Sequence, residues 1–333
     1  MNPARKETDK LLEEMEKKIK REYQQASKEV EQTLNNYLKK FKEKDAKKLQ
    51  AVNDGLMSQT DYEQWRTGQI LTSQRWTSLR DQLSTDYVNA DKIAKSIVNG
   101  YMPEVYALNH NYGTYEVEKQ SKIDTSYTLY NREAVERLMR DDPEMLPPPG
   151  KKVSQAIAEG RAKRWNNQHI QSVMTQSLLQ GESMDKIARR LAQKVGDSDC
   201  AAALRNARTM TTRAQSYGKL DSYKRAEKMG IEGRKQWIAT LDNVTRDSHV
   251  DLDGEVVDVD KSFSNGLDCP AGSGPPEEVY NCRCDMIYVM KGFELNPADL
   301  ESRYSAKLGD MTYEEWKNKH KVDEKSFKKG AET

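Results

Sequence analysis

The residues best suited to chemistry are gathered in one stretch of the chain. It runs Trp237-Ile-Ala-Thr-Leu-Asp242-Asn-Val-Thr245-Arg246-Asp-Ser-His249-Val-Asp-Leu252-Asp253-Gly254, and further on comes Asn281-Cys282-Arg283-Cys284. Three of the four cysteines and one of the four histidines fall inside this window. His249, Cys269, Cys282 and Cys284 offer three sulfurs and one imidazole, the donor set of a tetrahedral structural zinc site, although Cys-x-Cys is tighter than the usual spacing of zinc ligands. The alternative makes the thiols small buried hydrophobes and His249 a hydrogen-bonded core residue. Asp242, Arg246 and His249 recur at helical spacing, and a histidine flanked by carboxylates can act as a general base. The same residues can instead pin a turn, with Asp242 capping a helix and pairing with Arg246 at i and i+4. No second carboxylate cluster and no recognisable nucleophile accompany them, which favours the pin. Asp251-Leu-Asp253-Gly254 has the look of a calcium loop, but aligning Gly254 with the loop glycine puts His249 at the first ligand position and Asp260 at the last, so it reads as a turn.

A second group of candidates is basic. Arg161, Lys163, Arg164, Arg189, Arg190, Arg205, Arg208 and Arg213 could track phosphates along a helical body, without the interleaved aromatics of a single-strand binder and without a base-reading motif. Any DNA contact they make is expected to be nonspecific; the plain alternative is a solvated helix face.

The first stretch resembles the signature of the phage Mu F-like minor head proteins. That pattern is W-x-A-x-x-D-x-x-T-R-x-x-H-x-x-L-D-G, then an aromatic, then a Pro-rich loop ending in N-C-R-C. Trp237, Ala239, Asp242, Thr245, Arg246, His249, Leu252, Asp253, Gly254, Phe263, Pro275, Asn281, Cys282, Arg283 and Cys284 match it in order. Upstream, Asn206-Ala-Arg208-Thr209 resembles the family's A-R-T-E helix, with Met210 where the acidic residue stands. The resemblance covers roughly residues 170 to 290. It implies a minor capsid or head-morphogenesis protein of a tailed phage, inside the head near the portal vertex. Portal protein, and scaffold or major capsid protein, are then the expected partners, and assembly, DNA packaging or ejection the expected role. The runner-up is a DNA-processing enzyme delivered with the virion, using His249 and Asp242.

Composition bounds the rest. The chain has 333 residues, 36% hydrophobic and 32% charged, enough for two or three units but low in apolar content for one compact core. The net charge of +1 conceals polarity: residues 151 to 235 carry eighteen Lys and Arg against eight Asp and Glu, whereas residues 236 to 290 carry three against eleven. A basic body thus adjoins an acidic module, either to face an acidic partner or to neutralise it by packing. No apolar run is long enough for a membrane span and the start has no signal-peptide core, so a soluble protein made in the host cytoplasm is expected. Clustered cysteines in a long chain fit metal or reduced thiols better than a disulfide framework.

The elements that must position these residues are mainly helical, with a small α+β module towards the C-terminus and an elongated helical N-terminal region. Residues 5 to 50 hold no Gly or Pro, and Leu12, Met15, Ile19, Tyr23, Ala26, Val30, Leu34, Tyr37 and Phe41 keep a rhythm near an eleven-residue repeat. The stripe predicts one long amphipathic helix that packs back on its own chain or docks, coiled-coil fashion, on another subunit or a second copy. Asn53-Asp54-Gly55 ends it, and Ser58 caps a restart. Helices are expected at 61 to 85 and 87 to 110, then an irregular segment over 111 to 150 closing in a Pro-rich linker at 141 to 150. Helices follow at 151 to 180, 182 to 195 and 199 to 229, with Gly181 and Gly196 as stops. Strands are expected at 235 to 241, 254 to 260 and 285 to 290. The implied division is a helical region 1 to 110, the segment 111 to 150, a basic body 151 to 230, the signature module 231 to 291 and a charged tail 292 to 333 with short helices at 299 to 307 and 313 to 320.

Overall fold

A computed structural model describes residues 2–71, 74–123, 129–148, 154–180, 182–291 and 311–320. The helices are α1 (Pro3–Asn53), α2 (Gln59–Leu71), α3 (Gln74–Ser121), α4 (Arg132–Asp141), α5 (Gln155–Leu179) and α6 (Met184–Lys228). The C-terminal part adds β1 (Gly233–Ile238), α7 (Asp247–Val250), β2 (Val256–Asp258), α8 (Pro276–Val279), β3 (Asp285–Met290) and α9 (Tyr313–His320). The protein is mainly helical with one small antiparallel sheet, ordered β2-β1-β3. The expected stop at Gly181, the linker residues Pro149 and Gly150, and the expected helix at 299 to 307 lie outside the described residues.

The chain folds as two compact units, each assembled from segments far apart in sequence. One takes residues 17–96 and 153–204, the other residues 1–16, 97–152 and 205–333. Neither follows the consecutive stretches that composition suggests.

In the unit of 17–96 and 153–204, Ile19, Tyr23, Ala26, Val30 and Leu34 of the α1 stripe are buried, Tyr37 and Phe41 are half-buried and Leu38 is buried instead; Trp76, Leu83 and Tyr87 of α3 and Ile187, Leu191 and Val195 of α6 are buried as well. Of the two arrangements expected for this face, the protein adopts the first: its own chain covers it. No break occurs near residue 86, because Tyr87 is fully buried and its hydroxyl donates to Ala192 O at 2.8 Å. Gly196 is not a stop either. α6 runs straight through it, and a side chain there would meet Ser27 Oγ at 2.2 Å, so this glycine serves close helix packing rather than a C-cap.

In the other unit, α3 continues past residue 110 to Ser121, into the segment expected to be irregular, and α4 lies further along the same segment. Asn111 ties the helix there to the chain beyond it. Asn111 donates to Tyr130 O at 2.8 Å and accepts from the Tyr130 N–H at 2.9 Å, and His110 Nδ1 faces Asp221 at 3.1 Å. α3 and α6 cross here at glycine: a Cβ on Gly218 would lie 2.5 Å from Tyr106 O and 3.1 Å from His110 N, and one on Gly113 would lie 2.1 Å from Ser222 Oγ. The sheet packs on the C-terminal part of α6. Met286 and Tyr288 of β3 share a core with Leu220, Tyr223 and Ala226. β1 is central, with Lys235 paired to Val257 on one side and Tyr288 on the other.

Two outcomes follow from this packing. Gly218→Ala forces backbone atoms of α3 and α6 apart and is expected to cost about 1–3 kcal/mol in chemical denaturation; an unchanged midpoint would contradict the crossing. Glu104 is half-buried, and burial pushes its carboxyl up to about 7, with Glu14 and Glu7 adding to the rise and Arg132 opposing it. A carboxyl whose folded pKa is raised binds more protons in the folded state, so stability falls as pH climbs from the ordinary carboxylate value through about 7. Glu104→Gln should remove that fall, raising the melting temperature at alkaline pH relative to wild type and leaving acid pH little changed.

Candidate functional site

β1 sends Trp237 into the module core, where its ring meets Phe263 edge-on at 5.0 Å and His249 at 5.4 Å. The chain then leaves the sheet through a turn built on Asp242. Its Oδ1 accepts from the Val244 N–H at 3.1 Å and from the Thr245 hydroxyl at 3.0 Å, while Arg283 grips both carboxylate oxygens at 2.5 and 2.7 Å. This bidentate clamp, with the Val244 and Thr245 bonds, holds the Asp242 carboxyl well below the usual carboxylate range. Asp242 therefore does not cap α7 or pair with Arg246, as helical spacing suggested. Arg246 occupies the N-cap position with no side-chain cap bond, and its guanidinium donates to Tyr280 O. The loop closes at Asp253, whose carboxylate accepts from the Ala239 N–H at 2.8 Å, and at Gly254, which has φ +83° and donates to Trp237 O at 2.9 Å.

The second loop, from Phe263 to Cys284, is poor in regular structure, so its carbonyls need donors from elsewhere. Buried Lys235 donates to Val259 O at 3.0 Å and Asp268 O at 2.6 Å. Buried Arg213 donates to Ala271 O at 2.5 Å, Gly272 O at 2.8 Å and Pro147 O at 2.6 Å. Thr209 accepts from the Asn281 N–H at 3.0 Å, and Thr212 donates to Cys282 O at 2.7 Å. Ala271 and Asn281 both hold φ of 56°, a left-handed conformation that these bonds maintain.

α7 turns His249 inward until it is 1% exposed. Its Nδ1 faces Cys284 Sγ at 3.5 Å and Cys282 Sγ at 3.7 Å, and its Nε2 lies 3.1 Å from Glu278 Oε2. Burial alone would lower the imidazole pKa, but the hydrogen bond and charge of Cys284 and the charge of Glu278 raise it overall. The Cys284 thiol is drawn down to about 5, first by a hydrogen bond from Cys282 and then, against burial, by His249 and the Thr240 amide. Cys282, the donor in that pair, is pushed up. Among the described residues these three are the group of His, Cys, Asp and Glu placed to hold a metal ion, their donor atoms within 4.8 Å of one another. Cys269 is not brought to them. It is buried in the neighbouring core with Tyr223 and Tyr288, its sulfur 3.7 Å from Asp268 Oδ1, and burial pushes its thiol up.

The basic candidates differ in their surroundings. Arg213 is buried and spent on loop carbonyls. Arg208 pairs with Glu16 at 2.6 Å, Arg190 with Glu182 at 3.0 Å and Gln180, and Arg205 lies over the Tyr280 ring. Arg161, Arg164 and Arg189 are exposed and Lys163 is half-buried. Sequence reasoning missed Glu278, the partner of His249. Its one signal is the run Pro275-Pro276-Glu277-Glu278, which marks a helix start without pointing to a histidine. It also missed Lys219 and Asp285, a buried ion pair at 2.8 Å that donates further to Met286 O.

A clasped β module docked on a long helix is the class that fold and site define, and residues 168–287 match the family described as Phage Mu protein F like protein. The match spans about a third of the chain, and it is this part that is similar to the Mu F-like family. The chain is 23% identical over 326 residues to the minor head protein GP7 of Bacillus phage SPP1, covering 94% of this chain and 95% of that one. It is 30% identical over 252 residues, 74% of this chain, to a protein of Enterococcus faecalis named NAD(+)–arginine ADP-ribosyltransferase EFV, of which it spans about half, 49%. An uncharacterized protein of Haemophilus influenzae is 28% identical over 60% of this chain and 40% of its own length. No solved structure matches. Among the described residues, no helix is long and apolar enough to cross a membrane.

Arg213 separates a structural from a DNA-binding role. Arg213→Ala strands buried carbonyls and is expected to cost at least about 2 kcal/mol, whereas Arg189→Ala, on an exposed face, should stay within about 0.5 kcal/mol. Equal, small effects on thermal unfolding would contradict the buried placement.

Proposed function

We propose that this protein is a virion component that binds the portal protein inside the capsid and assists head assembly and the packaging or ejection of DNA. The observation that carries the reading is its similarity to a phage minor head protein along nearly the whole of both chains. The site supports it from another direction, since its signature side chains are spent on one another. Asp242 is locked to Arg283, and His249 is enclosed by Glu278, Trp237 and two thiols. A general base needs a proton-accepting atom within reach of substrate, so the runner-up, a DNA-processing enzyme using His249 and Asp242, has little support. The name of the Enterococcus relative brings arginine ADP-ribosylation into consideration; the shared segment is about half of that protein.

Within this reading, nonspecific DNA contact falls to exposed Arg161, Arg164 and Arg189, and portal contact to apolar side chains that the fold leaves outside, such as Leu56, Trp165 and Leu179. Ile19, part of the stripe that could have docked on a partner, is fully buried. Co-expression with portal protein should give a complex that survives high salt, whereas bound DNA is stripped because each phosphate contact releases counterions. Failure to co-purify with portal from assembled heads would refute the reading. Incubation with labelled NAD and an arginine-bearing acceptor should transfer no label; transfer would make the enzymatic reading the correct one.

A further inference from the structure

We infer that His249, Cys282 and Cys284 form a zinc site, with Glu278 as the positioning residue behind the histidine. The donor geometry supports this independently of any role in the phage head. Zn–S bonds of about 2.3 Å and Zn–N bonds of about 2.0–2.1 Å at tetrahedral angles put nitrogen and sulfur about 3.6 Å apart. The observed separations from His249 Nδ1 are 3.5 and 3.7 Å, and all three donor atoms lie within 4.8 Å of one another. A zinc ion can therefore be received with little rearrangement.

The surroundings are those of metal ligands rather than of idle thiols. A ligating imidazole usually gives its other N–H to a carboxylate, which fixes the tautomer and aims the lone pair. Here Nε2 faces Glu278 Oε2 at 3.1 Å, leaving the lone pair of Nδ1 directed between the sulfurs. Glu278 is itself held, by the Ser248 hydroxyl at 3.1 Å and by the Asn265 amide at 3.3 Å. The sulfurs accept from backbone amides, Cys284 from Thr240 and Cys282 from Ala271 and Cys284, contacts that stabilise thiolate. The Trp237 and His249 rings pack edge to face, 5.4 Å between centroids. On binding, Cys282 gives up its proton to solvent and joins the Cys284 thiolate, the imidazole binds in its neutral form, releasing any proton it carries on Nδ1, and a water completes the tetrahedron. Cys269, in the adjacent core, contributes nothing.

The test uses the full chain, purified under a non-chelating reductant and exposed to zinc or cobalt. Metal analysis should find about one equivalent per chain, chelation should lower the melting temperature, and cobalt should show thiolate-to-metal charge transfer with the intense d–d bands of four-coordination. Cys269→Ser should keep the metal. Cys282→Ser and Cys284→Ser should lose it. Glu278→Gln, which leaves all three donors in place and so guards against simple unfolding of the ligand variants, should weaken metal affinity about 10–100-fold. A folded wild-type chain with neither bound zinc nor a thiolate–cobalt band would overturn the inference. So would metal retained when both Cys282 and Cys284 are replaced.

Discussion

The signature module depends on the donors and acceptors that α6 presents to it. Two long loops and a three-stranded sheet cannot satisfy their own buried carbonyls, and each one left unpaired would cost free energy comparable to a lost hydrogen bond. α6 answers with Thr209, Thr212, Arg213 and Lys219, which reach Asn281, Cys282, Ala271, Gly272, Asp285 and Met286. Further along the same helix, Leu220, Tyr223 and Ala226 continue the contact as an apolar core. Docking is thus polar at one end and apolar at the other.

That arrangement accounts for the signature. Asp242 and Arg283 tie the first loop to the end of the second, Arg246 ties α7 to Tyr280, and Asp253 with Gly254 returns the chain to β1. Two non-glycine residues in left-handed conformation, Ala271 and Asn281, would cost on the order of 1–2 kcal/mol each if unsupported. Both are bonded through their backbone, Ala271 to Arg213 and Asn281 to Thr209. Lys219 and Asp285 make the same point with charge: burial would raise the Asp285 pKa, yet Lys219 beside it, with Arg5, lowers it overall.

Much of this was legible. Apolar rhythm marked α1 and Asn53-Asp54-Gly55 its end, and short apolar or alternating runs marked the three strands, because each signal is local. His249 with Cys282 and Cys284 was legible as a group, but not the exclusion of Cys269, since the choice between two cores of similar composition is made by tertiary packing. Gly196 misled because the same residue type ends helices and permits their close approach. Arg213 misled because a cation in a basic run looks solvated until the carbonyls facing it are known. The pairing of Asp242 with Arg283 instead of Arg246 joins residues far apart in sequence, and no helical spacing can announce it.

The central claim is that the signature side chains hold the module together instead of performing chemistry on a substrate. Hydrogen exchange of backbone amides in His249→Ala against wild type tests this most directly. The claim predicts that amides across 237–241 and 279–286 lose protection together, while α1 and α5 keep theirs. A variant with native protection throughout both segments would contradict it and return His249 to consideration as a catalytic residue.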